Sequence, residues 1–284
     1  MKKIKQAEND FSEALLPSTR RQQFKDLLKN EWKTLLTIGL LLLLFSLPYI
    51  GIYIFRYISA SLYTSYLFDG GYTEHQVSFN LMIFHLIFDG FNIVSYVSIS
   101  ICLAGVFRVL DNLVLGEGIL FKDDFILGIK KNWKSFVVCG VIFALIKALY
   151  RFSTNFFNYD GSTGKTILTG LMIIIVYLFL IPVLIYSVSL RSKYKITINN
   201  TFKAASKFSI VTIIPFGIFT ILLFFVLYFS LIAQVFILGI LICIIVVLVV
   251  PIYVLLVHLY VTFVFDKYIN QYDYPDIYRK GLSK

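Results

Sequence analysis

The sequence predicts an all-α polytopic membrane protein. It reads as six transmembrane helices with both termini cytoplasmic and amphipathic interfacial helices on the cytoplasmic side. Three observations predict this. Hydrophobic residues make up 58% of the chain, charged residues 15%, and the mean hydropathy is +0.82. A soluble domain carries about a quarter charged residues, so this chain cannot cover an aqueous surface. Apolar runs of membrane-crossing length recur between charged connectors. The basic residues, net charge +10, gather in alternate connectors, as cytoplasmic loops do. Because they flank apolar runs, they argue against nucleic acid as a partner.

Residues 1–33 form a polar, basic head. No cleavable signal peptide is evident, since the first apolar run starts late. Within the head, Phe24, Leu27, Leu28, Trp32 and Leu35 fall at helical spacing, and Ser18 or Thr19 can cap the start. This predicts a surface helix whose Lys and Arg face anionic headgroups. The membrane domain covers 34–265, with spans at about 34–55, 88–110, 135–154, 166–190, 208–230 and 235–264. The run 208–265 is almost unbroken. As one helix it would reach roughly 85 Å against a hydrocarbon core of ~30 Å, so a fold-back is expected near 230–234. Residues 266–284 form the tail.

Orientation follows from the connectors. The head, the segment 116–134, the connector 191–207 and the tail carry most of the Lys and Arg. Residues 56–76 and the connector after the third span carry few. The positive-inside rule then places both termini in the cytoplasm.

The stretch "GEGILFKDDFILGIKKNWK", 116–134, is charged amid apolar surroundings. Phe125, Ile126, Ile129, Trp133 and Phe136 recur at helical spacing, with Lys130, Lys131 and Lys134 on another face. Asp123 and Asp124 open the segment and the lysines close it, as the helix dipole prefers. The expectation is a helix lying in the inner interface and turning up into the third span. Lys130, Lys131, Trp133 and Lys134 would be its contact with headgroups or a cytosolic partner. A second such segment, "ITINNTFKAASKFS", precedes the fifth span.

The most polar part of any span is "HLIFDGFNIVSY". His85, Asp89, Asn92 and Tyr96 lie on one helical face. Lys147 and Arg151, four apart in the antiparallel third span, come to a similar depth. Ionisable groups within a membrane usually face a protein interior or cavity. His85, Asp89, Asn92, Lys147 and Arg151 therefore form a candidate polar pocket that binds a solute or senses pH. The competing reading is a structural ion pair, with the long basic side chains snorkelling outward. Arg108 and Asp111 mark the inner end of this span.

Other features suggest no chemistry. "GSTGKT", 161–166, lacks the first glycine of a phosphate loop, because Tyr159 stands in its place, and no strand precedes it. His258 stands alone in the sixth span and reads as a core residue. Cys102, Cys139 and Cys243 have no CxxC spacing and read as small core residues. No catalytic constellation, metal site or cofactor site is expected. Pro48, Pro182, Pro215 and Pro251 fall inside spans, where they kink helices.

"LLLLFSLPYIG", "FRVLDNLVLGEGILFKDDFILGIKKNWKS", "NNTFKAASKFSIVTIIPFG", "FDKYIN" and "RKGL" together resemble the YesL-like family of bacterial integral membrane proteins. The chain departs from that family in its longer head and its extended segment 56–80. The resemblance implies a bacterial cytoplasmic membrane protein with an accessory role in sugar transport or its regulation, and subunits of a sugar transporter as partners. It carries over no catalytic residue. The functional expectation is a non-enzymatic accessory protein; the alternative is a permease subunit that forms part of a solute path. The scarcity of polar groups in spans one, four, five and six favours the former.

Overall fold

The computed structural model describes residues 16–158, 167, 171, 174–219 and 243–283, with the side chains of 154–158 outside that description. Among these residues the regular structure is helical. Five of the described helices are long and apolar enough to cross a membrane, or up to six if one bent pair counts as a span.

Thr19 caps α1 (Arg20–Asn30), its hydroxyl accepting from Gln22 N, as the sequence predicts. The apolar face of α1, with Phe24, Leu27 and Leu28, packs against the protein core. The chain breaks at Glu31 and restarts as α2 (Trp32–Asp69). This helix runs well past the expected end of the first span at 55. Pro48 does not stop it, and the next breakers are Gly70 and Gly71. Hydropathy measures lipid thickness; helix length is set by where the breakers stand. The expected outer connector, 56–76, is therefore mostly helix closed by a tight turn.

A capping box between Thr73 and Gln76 starts α3 (Glu74–Leu115). Gly116 ends it at φ 68, with the Glu117 N–H on the Asn112 carbonyl at 2.9 Å. The expected second span, 88–110, lies wholly inside this helix. The next element corrects the interfacial expectation. Residues Phe121–Asn158 form one helix, α4, so the basic segment is the first turns of the third long apolar helix and not a separate helix lying flat. Asp124 accepts from the Leu120 N–H at 2.9 Å at its start. Nothing in the sequence between Lys134 and Ser135 could break it. Phe125 and Phe136 face the core, whereas Ile126 and Trp133 are exposed.

α5 (Val176–Lys193) begins with a wide π-wound turn, Val176–Leu180. The expected start of this span at 166 and the "GSTGKT" turn lie outside the described residues. α6 (Ile198–Val211) is the second predicted amphipathic segment, and here a separate helix does form. At Thr212 the chain bends by 79° into α7 (Ile213–Phe219). The expected span start at 208 is thus five residues ahead of α7, because 208–211 still belongs to α6 and Thr212 is the bend. The rest of that span and the fold-back at 230–234 lie outside the described residues. α8 (Ile245–Asp273) carries π turns at Ile245–Val249 and Asp266–Asn270. It continues past 265, so the first part of the expected tail is helical.

The π turns in α5 and at the start of α8 each precede a proline, Pro182 and Pro251. Proline offers no N–H and its ring crowds the carbonyl four residues back; widening the turn relieves both. The carbonyl four back from Pro251 is that of Val247. A Cβ on Gly39 of α2 would stand 2.0 Å from that oxygen, so α2 and α8 meet backbone to backbone. Gly140 likewise lets α4 approach α3, with a built Cβ 2.0 Å from Ser100 Oγ. Lipid gives helices no hydrophobic reason to associate, so close packing of small residues has to supply it.

The core divides into packed clusters. One joins α1, α2, α3, α4 and α8 through Ile38, Val106, Val109, Leu110 and Leu255. Another joins α5 to α8 through Tyr186, Leu190, Phe216, Val261 and Phe265. Elsewhere large apolar side chains stand on the surface: Leu44 is 57% exposed, Leu62 68%, Phe91 59% and Ile214 75%. Bands of this extent suit lipid as solvent.

Candidate functional site

The candidate pocket residues converge, with one correction and one omission. Asp89 is buried, and its Oδ1 accepts from both Arg151 of α4 and Arg56 of α2, the latter at 3.4 Å. Arg56 also donates through Nε to His85 Nδ1 at 3.1 Å. That bond fixes the histidine tautomer, with Nδ1 as acceptor and the proton on Nε2. Arg56 is the omission. The sequence alone places it at the edge of a loop, because the continuation of α2 beyond 55 is not legible in hydropathy. The correction concerns Lys147. Its ammonium lies over the rings of Tyr49 and Tyr96, 5.7 and 5.8 Å from the centroids. It is neither paired with Asp89 nor snorkelling outward. Aromatic faces attract a cation through their quadrupole, most strongly where water is excluded.

Asn92 is buried one turn below Asp89. Its Oδ1 finds no hydrogen-bond partner among the described residues. The line His85, Asp89, Asn92, Tyr96 thus faces α2 and α4 as the spacing predicts. It forms a polar column that ends near Ser98, which donates to the Phe45 carbonyl at 3.0 Å. Above the column a cavity of about 400 Å³ opens between α2 and α3. Arg56, His85 and Arg151 share its wall with Tyr53, Tyr57 and Ser61.

A second polar centre lies at the other end of α3, about 33 Å away at 1.5 Å rise per residue. Asp111 Oδ1 contacts Lys193 Nζ at 3.1 Å and His258 Nε2 at 3.0 Å. Lys193 also donates to Thr262 Oγ1 at 2.9 Å. His258 is therefore not alone, as its sequence neighbours suggest. Its partner Asp111 comes from α3, far away in the chain, and shares that oxygen with Lys193 of α5. Its Nδ1 is buried without a partner among the described residues.

Alongside, Arg20 of α1 pairs with Asp266 at 2.7 Å. Asn270 donates to the other oxygen of Asp266 at 2.8 Å, and the Tyr194 hydroxyl donates to Asn270 Oδ1 at 2.5 Å. Burial, with the Asp266 carboxylate nearby, pushes the Tyr194 phenol above its ordinary range. The π turn Asp266–Asn270 carries this group, as π turns often do at polar sites.

The tail closes over the same end. Gln23 Nε2 donates to the Val114 carbonyl at 2.8 Å and the Gly281 carbonyl at 3.3 Å. Gly281 has φ 81, and a Cβ there would stand 2.3 Å from the Val114 oxygen, so glycine is required. Ser283 N donates to the Pro17 carbonyl at 3.0 Å, and Lys280 pairs with Glu117 at 2.8 Å. The motifs "FDKYIN" and "RKGL" thus meet in one network through Arg20 and Gln23, and Asp111 of "FRVLDN" heads a second centre beside it. Sequence reasoning missed it because its members are spread over the chain. The signal was present in the polar residues of those motifs.

The third predicted feature is the basic patch. Lys130, Lys131, Trp133 and Lys134 are exposed on α4, and Lys134 Nζ lies 5.8 Å from the Trp133 ring centroid. Compared with known proteins, the chain matches no family model, no curated protein and no solved structure.

Proposed function

We propose that this chain is a non-enzymatic, YesL-like integral protein of the bacterial cytoplasmic membrane. In this reading it is an accessory or regulatory component of a membrane transport system, carbohydrate uptake being the class the resemblance implies. One observation carries the choice over a permease subunit. Between the outer polar column and the inner network, α3 presents Cys102, Ala104, Val106, Phe107, Val109 and Leu110, all buried in apolar clusters. A solute path needs polar groups at mid-membrane depth, and between Ser100 and Arg108 this helix offers only apolar side chains. The outer column is the observation on the permease side, and it stops short of this apolar plug.

The bond between Ser283 and Pro17 supports a reading with both described ends on one side. In that reading the number of crossings is even, and the bent pair α6–α7 belongs to a sixth. The lysines of α4 at the same end favour the cytoplasm as that side. Lys130, Lys131, Trp133 and Lys134 then form the contact with anionic headgroups or with the partner complex.

The test has two arms. Crosslinking in native membranes, followed by partner identification, should capture subunits of a transporter. Charge reversal at Lys130, Lys131 and Lys134 should reduce that capture. The purified chain in liposomes should move no sugar. Unaided sugar flux would replace this reading with the permease.

A further inference from the structure

We propose that the outer cavity between α2 and α3 is a binding site for a phosphate oxyanion. Arg56 carries the argument. Its guanidinium gives Nε to His85 at 3.1 Å and reaches Asp89 with Nη1 at a long 3.4 Å. A guanidinium has five N–H donors in a planar fork, and those two contacts leave donors over. The side chain is 15% exposed and lines the cavity. The spare donors of Arg56 therefore open onto that space.

The companions fit the same ligand. The histidine bond leaves the proton of His85 on Nε2, a further donor on a ring that lines the cavity. Tyr53, Tyr57 and Ser61 add hydroxyl groups, which can serve the ester or polyol part of a headgroup. Arg151 forms part of the wall and has other interactions as well; the site does not depend on it. Asp89 lies behind the guanidinium and positions it. It does not line the cavity, so no carboxylate there repels an anion. At about 400 Å³ the space lies within the usual range for small-molecule sites.

The surroundings indicate how a ligand arrives. Phe55, Ile58 and Leu62, on the same stretch of α2, are exposed by 65%, 53% and 68%. A lipid lying against these side chains would bring its phosphodiester to Arg56. Arginine forks are matched to phosphate oxygens in a way that a lysine ammonium is not. Free phosphate from the aqueous side offers the same oxygens without the tail. The test separates these sources.

Detergent-purified protein is titrated with mixed micelles of phosphatidylglycerol, with micelles of phosphatidylcholine, and with inorganic phosphate against chloride at matched ionic strength. Binding is read as a rise in thermal midpoint and by native mass spectrometry. Selective binding of phosphatidylglycerol assigns the lipid source, and selective binding of phosphate assigns the soluble one. Arg56→Gln should weaken whichever binds by at least about tenfold, the usual consequence of losing a charge-assisted fork. Because that change also touches Asp89, a second variant leaves every charge in place. Ser61→Phe, at an exposed position of the cavity wall, should block binding by filling the space. If neither anion binds, or if Ser61→Phe folds and binds as tightly as the parent chain, the cavity is not an oxyanion site.

Discussion

Asp111→Leu removes the carboxylate that Lys193 and His258 share. The side chains of Lys193 and His258 are 8% and 0% exposed, so the ammonium cannot recover water without moving. Removing one partner of a buried pair costs about 3–5 kcal/mol. Lys193 keeps its bond to Thr262 Oγ1, which places the expected loss near the lower end, about 3 kcal/mol. That corresponds to a fall in Tm on the order of 10 °C. Lys193→Met should cost less, about 2 kcal/mol, because Asp111 still meets His258. The double variant replaces the ion pair with apolar side chains and leaves His258 Nε2 without its acceptor, so it should lose only about 1 kcal/mol. Cys102, fully buried on the same helix, provides the assay: a thiol-reactive dye reports its exposure as the detergent-solubilised protein is heated. If Asp111→Leu melts with the parent protein, or if the double variant loses the sum of the two singles, the network does not act as a coupled pair.

Three further outcomes follow from the same structure. Gly39→Ala pushes a methyl into the Val247 carbonyl and should cost about 2 kcal/mol, whereas Gly51→Ala, with nothing within 4 Å, should be neutral or gain up to about 1 kcal/mol; dye-reported melting of the two variants checks the pair. Tyr194→Phe loses the bond to Asn270, about 1 kcal/mol at neutral pH. The folded phenol titrates above its unfolded value, so its contribution is whole below about pH 10 and is lost as pH rises beyond; the variant's melting temperature should decline less steeply in that alkaline window. In intact cells, cysteines placed at Ser18 and Ser283 should resist a membrane-impermeant thiol reagent, whereas one at Gly71 should react, and labelling of all of them would overturn the sidedness.

The outer cluster was largely legible because its members share one short helical face. His85, Asp89 and Asn92 are related by local spacing, and Arg151 follows from an antiparallel neighbour at matched depth. Arg56 was hidden because hydropathy ends the first span just before it, while the helix itself continues to Asp69. The place of Lys147 is not legible, because charge suggests a carboxylate partner and the tyrosine faces that hold it carry no formal charge. The inner network was illegible for a different reason. Asp111, Lys193 and His258 come from helices whose mutual rotation no periodicity reports. The flat helix expected at 116–134 failed because amphipathicity says which face is polar and is silent on whether the next residues continue the same axis.

The wide turns of α8 have a further consequence. Each holds one residue more than an α turn, which moves the helical phase of all that follows by roughly 100°. The turn Ile245–Val249 thus sets the angle between the stripe that meets Gly39 and the stripe bearing His258. Deleting a single residue there would leave composition and hydropathy almost unchanged. It would still swing one stripe off its neighbour. In this helix the number of residues is as tightly specified as their chemistry.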